Sequence, residues 1–208
     1  MAANRNRQRH KRRKGARGSR KSNPALMIVV QGEVTEVEYF RRLREMWRIP
    51  NLQIVPIPES PETMVNSALS KIERDSRAPY DEVYFVVDVD DSSTRQFDEA
   101  FRLAKKLTSK STSYWFVVSN ESFDTWLLGH FEDIRKCNWG RKQIQERLKK
   151  GGHLIGSNGK SLSLSFPFVL IDTASEQVDL CDYNEMGKTC STAVPHLVKR
   201  LAELRTIN

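Results

Sequence analysis

The stretch Val83-Tyr84-Phe85-Val86-Val87-Asp88-Val89-Asp90-Asp91 decides the fold. Residues 83–87 are all β-branched or aromatic and favour an extended chain. An unbroken apolar run of this length suits a strand covered on both faces, as in a parallel sheet. The run ends in acids, so the strand delivers Asp88 and Asp90 to its carboxyl end, with Asp91 just beyond. Two residues apart on an extended chain, Asp88 and Asp90 point to the same side.

Upstream, Leu26-Met27-Ile28-Val29-Val30 is a second continuous apolar run, followed by Gly32-Glu33-Val34-Thr35-Glu36-Val37-Glu38. Thr35 with Glu38 three residues later has the capping-box pattern, which predicts a helix start there. Tyr39, Phe40, Leu43, Met46 and Trp47 then fall on one helix face. Leu52 to Ile57 reads as a strand, and Ser60-Pro61 opens a helix with proline at its first position. Downstream, a helix is expected from Thr94 to Leu107, a strand from Tyr114 to Val118, and a helix start at Ser119-Asn120-Glu121-Ser122. Strands alternating with helices predict an α/β fold with a mainly parallel sheet and helices on both faces.

Beyond Phe131 the periodicity weakens. Gln143 to Lys150 reads as a helix, Gly151 to Ser165 as a Gly/Ser-rich loop, and Phe166 to Val178 fits strand or helix equally. Ser191 or Thr192 caps a last helix that holds Val194, Leu197, Val198, Leu201 and Leu204 on one face. Three regions are therefore expected: a basic tail over 1–22, a catalytic core over 23–131, and an α-rich extension over 132–208 packed on that core.

The net charge of +8 over 208 residues belongs to the tail. Residues 1–22 carry ten Lys or Arg and no acid, which leaves 24 basic against 26 acidic residues in the remainder. The tail has almost no apolar side chains and is expected to lack a core of its own. Arg12, Arg13, Lys14, Arg17, Arg20 and Lys21 are its candidate phosphate contacts, through counterion release. No run approaches the roughly 18 to 20 apolar residues of a membrane span, and no signal-type segment follows the basic start. A cytoplasmic protein without a membrane partner is expected. Cys137, Cys181 and Cys190 are odd in number and widely spaced, which fits neither a disulfide framework nor a zinc site.

In an open parallel sheet the carboxyl ends of the strands face one crevice, where ligands bind. Glu33 follows the first strand, and Asp88 and Asp90 end the third. Carboxylates on one side repel unless a cation holds them, and Mg²⁺ suits one or two carboxylates plus water and phosphate oxygens. Glu33 is then placed to move a proton or complete the metal shell. Tyr39 as a covalent nucleophile is disfavoured, because it lies on the buried helix face.

Four ordered blocks resemble a known family. Val30-Gln31-Gly32-Glu33-Val34-Thr35-Glu36-Val37-Glu38-Tyr39-Phe40 is similar to the E-G-E-x-T-E-x-x-Y-F signature of RloB-type proteins. Phe85 to Asp91 resembles their Asp-x-Asp block, Ser119 to Phe131 their S-N-P-x-F-E-x-W-L-L-x-H-F block, and Ser191 to Val198 their closing S-T-x-V-x-x-L-V. The resemblance implies a Toprim-like fold with a helical C-terminal appendage, shared with primases, topoisomerases and overcoming-lysogenisation-defect nucleases. It implies Glu33 as general acid or base, Asp88 and Asp90 as Mg²⁺ ligands (Mn²⁺ as the alternative) with Asp91 beside them, and Glu36 and Asp124 as accessory carboxylates. Abortive-infection or restriction loci and an ATPase partner go with the family; a homo-oligomer is compatible with it. The chain departs from the pattern at Gln31 and Asp124, where the family has Glu, and at Glu121, where it has Pro. Residues 151–180 match weakly and Lys160 carries no assignment. Two functions compete: a metal-dependent nuclease cutting RNA or DNA, with structured RNA such as tRNA as substrate, and a non-catalytic nucleic-acid sensor or adaptor.

Overall fold

The computed structural model describes residues 23–75, 79–89 and 93–205. Four strands form the parallel part of the sheet: β1 (Leu26–Val30), β2 (Leu52–Pro56), β3 (Glu82–Asp88) and β4 (Ser113–Ser119). They alternate with α1 (Thr35–Trp47), α2 (Pro61–Arg74) and α3 (Thr94–Leu107), while α4 (Asp124–Leu128) follows β4. The second half of the described chain adds α5 (Arg141–Lys150), a small antiparallel hairpin of β5 (Leu154–Ile155) and β6 (Ser161–Leu162), a 3₁₀ turn at Phe168–Leu170, and α6 (Ile171–Gln177). It closes with β7 (Asp179–Leu180), β8 (Ser191–Thr192) and α7 (Val194–Ala202).

The main sheet runs β2-β1-β3-β4-β8-β7. β1 pairs with β2 and β3, and β3 with β4, all parallel, whereas β8 joins β4 antiparallel through Ser119 and Thr192. The fold is therefore the expected α/β, Toprim-like architecture. The C-terminal segment supplies helices and also two short strands that extend the same sheet. The ambiguous stretch after Phe166 resolves as helix. No described helix is long and apolar enough to cross a membrane.

β1, β3 and β4 are buried on both faces, as their apolar runs require, whereas β2 at the sheet edge is only half-buried. One face packs Met27, Val29, Phe85 and Phe116 against Met64 and Val65 of α2 and Phe97 and Ala100 of α3. The other packs Ile28, Val30, Tyr84 and Val117 against Tyr39, Phe40 and Leu43 of α1, Trp126 of α4 and Leu197 of α7. Of the helix starts read in the sequence, Pro61 opens α2 as expected, while α4 and α7 take Phe123 and Ala193 as N-caps rather than the serines and threonine before them. Ser93 with Gln96 forms a capping box at α3 that is not among those signals. At α1 the expected box is not made: the N-cap is Val34, and Thr35 and Glu38 bond elsewhere.

Candidate active site

Because β1, β2, β3 and β4 are parallel, their carboxyl ends share one edge, and a cavity of about 420 Å³ opens there. Asp88 is the last residue of β3 and is only 8 % exposed. Its Oδ1 accepts the Phe123 backbone N–H at 2.8 Å, which ties the strand end to the start of α4. Its Oδ2 lies 3.9 Å from Nη2 of Arg141, the first residue of α5. Beside it, Gln31 continues β1. The Gln31 amide oxygen accepts the Asp88 N–H at 3.1 Å, while its nitrogen donates to the Glu59 carbonyl at 3.2 Å. A carboxylate could accept the first bond but could not donate the second. At this position the amide therefore stitches the ends of β1 and β3 to the turn after β2.

Glu36 is the buried glutamate of the segment, 8 % exposed, whereas Glu33 is exposed at the rim of the same cavity. Gly32 makes room for it: a Cβ at residue 32 would fall 1.9 Å from Glu36 Oε2. Gly32 thus lets the Glu36 carboxylate lie directly over the backbone, a position that any larger residue there would force it to leave. Burial pushes the Glu36 carboxyl from 4.5 up to about 6, and the neighbouring Asp124 charge pushes it further the same way. Its own backbone amide, Arg141 and Lys160 pull it down without cancelling the rise. A carboxyl titrating near neutrality suits proton transfer.

Asp124, at the first position of α4, completes a set of three inward carboxylates with Glu36 and Asp88. Arg141 and Lys160 line the same cavity and supply the positive charge. Lys160 is brought there by α1. Thr35 Oγ1 donates to the Lys160 carbonyl at 2.5 Å, and Glu38 accepts the Leu162 N–H at 2.8 Å. Arg42 donates to the carbonyls of Ser163 and Leu164 at 2.8 and 2.9 Å. The helix that carries Glu36 therefore also clamps the β6 segment over the site. Ser122 adds a buried hydroxyl on the cavity wall, with no hydrogen-bond partner among the described residues.

The structure thus brings together Glu33, Glu36, Asp88 and Asp124 of the expected residues. Asp90 and Asp91 lie outside the described residues, as do Arg12, Arg13, Lys14, Arg17, Arg20 and Lys21 of the tail. Arg141, Ser122 and the clamp on Lys160 carry no local sequence signal. Among the described residues no three acid, His or Cys side chains form a ready-made metal cage. The donor chemistry nevertheless fits Mg²⁺, which needs only one or two protein carboxylates and completes its shell with water and phosphate oxygens. Asp88 and Asp124 offer such oxygens, and the repulsion between Glu36 and Asp124 is the kind a divalent cation relieves.

A family model described as RloB-like protein matches residues 26–201. The chain belongs to the RloB-like family. No curated protein and no solved structure matches it.

Proposed function

We propose that this RloB-like chain is a Mg²⁺-dependent nuclease that cleaves phosphodiesters in RNA or DNA, with structured RNA such as tRNA among the candidate substrates. The observation that carries the reading is the convergence of four carboxylates, Glu33, Glu36, Asp88 and Asp124, and two cations on one cavity at the carboxyl edge of a parallel sheet. Asp88 and Asp124 would hold the metal, with Mn²⁺ as an alternative occupant. When bound, the metal supplies Lewis-acid polarisation of the phosphate. Glu36, buried over Gly32, takes or gives the proton. Arg141 and Lys160 neutralise the phosphate oxygens, the part that needs positive charge fixed in place before reaction. A nuclease of this kind fits the phage-defence setting and the ATPase partner that go with the family.

One observation favours the alternative, a binding-only sensor or adaptor: Arg141 already stands against Asp88, which such a protein would not need to exchange for a metal. Incubating wild type and Asp88→Ala with labelled tRNA, mRNA and plasmid DNA, with Mg²⁺ or Mn²⁺, separates the two. The nuclease reading expects metal-dependent cleavage of at least one substrate by wild type and none by Asp88→Ala. Binding without cleavage under all these conditions supports the adaptor.

A further inference from the structure

A second cavity, about 470 Å³, opens beside the candidate site on the outer edge of the sheet. It lies between the turn after β2 and the exposed stripe of α2. Pro58 lines both cavities, and the Gln31–Glu59 hydrogen bond links the wall of one to the wall of the other. The two openings therefore adjoin across Pro58 at the end of β2.

α2 turns back antiparallel to β2, so its groove-lining residues lead away from the site in order. Asn66, Ser70 and Arg74 follow one another at four-residue intervals, a rise of about 6 Å per step. Lys71 joins Arg74 at the far end, and both are exposed. Neither side chain makes a hydrogen bond or ion pair among the described residues. The one acid in the lining, Glu59, has its carboxylate engaged by Ser67 Oγ at 2.7 Å. Glu59 keeps its charge at the near end, so the groove offers hydroxyl and amide groups along its length and its two cations, Lys71 and Arg74, at the far end.

We propose that this groove is the track for one strand of the nucleic-acid substrate, with its phosphates running from the carboxylate cavity over Pro58 to Lys71 and Arg74. The inference rests on the phosphodiester reading of the neighbouring site. Contacts of this kind position the backbone and carry no sequence information. They also make binding salt-dependent, with a slope of about −0.7 per phosphate for a single strand.

The test is the affinity of the full chain for a fluorescein-labelled single-stranded oligonucleotide, measured in EDTA so that no cleavage occurs. The substitution Lys71→Glu with Arg74→Glu is compared with Lys105→Glu with Lys106→Glu, a charge reversal of equal size on the exposed side of α3. The groove reading expects binding at least about tenfold weaker for the first pair, and a log–log salt slope shallower by about 1.4. The control pair stays within about twofold of wild type. Equal losses for both pairs would mean diffuse attraction to net charge and would overturn the proposal. Unchanged binding in the groove variant, or no binding by wild type, would overturn it too. If melting shows that the reversed pair does not fold, Lys71→Gln with Arg74→Gln replaces it. Because the readout is binding without metal, a failure of wild type to cleave would sink the nuclease assignment while leaving this comparison intact.

Discussion

The two faces of the sheet are built differently. The α2/α3 face is an apolar layer in which the hydroxyl of Tyr80, one of its two buried tyrosines, is hydrogen-bonded with Gln53 and Asp75. The α1/α4 face is just as tightly filled, yet it buries polar atoms that have no hydrogen-bond partner among the described residues. These are the Tyr39, Tyr183, Ser122 and Thr125 hydroxyls, Trp126 Nε1 and His130 Nε2. The Trp126 indole lies against Tyr39, ring centroids 6.4 Å apart, with its N–H facing the Tyr39 hydroxyl outside good hydrogen-bond geometry. Burial holds His130 down at about 4, so its ring is neutral near pH 7. Each such orphan costs about 1–3 kcal/mol. Five of the six lie on α1 or between Ser122 and His130, in and around α4, next to the candidate site. One face of the sheet bonds the Tyr80 hydroxyl within its layer, and the other leaves polar atoms without a protein partner near its carboxylates.

Substitutions sharpen the contrast, beginning with the largest effect. Phe97 is fully buried on the α2/α3 face, and Phe97→Ala should destabilise by about 3–5 kcal/mol in denaturant titration. Loss of less than about 1 kcal/mol would show that this layer is not the packed one. Glu36→Gln should act in the opposite direction, and only at higher pH. The Glu36 carboxyl is raised from 4.5 to about 6 in the fold, so the protonated form is the one the fold favours. That contribution is fully present below about 4.5 and is lost as pH rises through about 6. In metal-free buffer the glutamine variant should therefore gain about 2 kcal/mol over wild type at pH 8, with the difference vanishing by pH 4. A gain independent of pH would point to packing rather than charge. The smallest effect compares two tyrosines. Tyr80→Phe breaks satisfied hydrogen bonds and should cost about 1 kcal/mol, whereas Tyr39→Phe removes an orphaned hydroxyl and should be neutral or stabilising by about the same amount. Equal losses at both positions would erase the difference between the faces.

The same contrast explains what the sequence made legible. β1, β3, β4 and the helices α2 and α3 declare themselves through continuous apolar runs, a proline at the first helical position of α2 and helical apolar spacing in α3, all local signals. Asp88 is legible because it ends such a run. Glu36 is not, because its burial depends on the missing Cβ of Gly32 and on the segment that α1 holds over the site. Thr35 and Glu38 look like a capping box when read locally. In the fold they reach Lys160 and Leu162, which are 125 and 124 residues away in sequence. Arg141 begins an otherwise ordinary polar helix, and only tertiary packing sets it against Asp88. The strand and helix scaffold is written in local pattern, while the site is assembled by contacts across the chain.

The central claim is that the buried glutamate over Gly32, not the exposed one beside it, does the proton work of a metal-dependent phosphodiesterase. The most direct measurement is Mg²⁺-dependent cleavage of labelled RNA and DNA by Glu36→Gln and Glu33→Gln against wild type, with metal affinity and melting recorded for each. Glu36→Gln is expected to lose about 10²- to 10⁴-fold in turnover while remaining folded, and Glu33→Gln to stay within a few-fold of wild type. Loss confined to Glu33→Gln, with Glu36→Gln fully active, would contradict it.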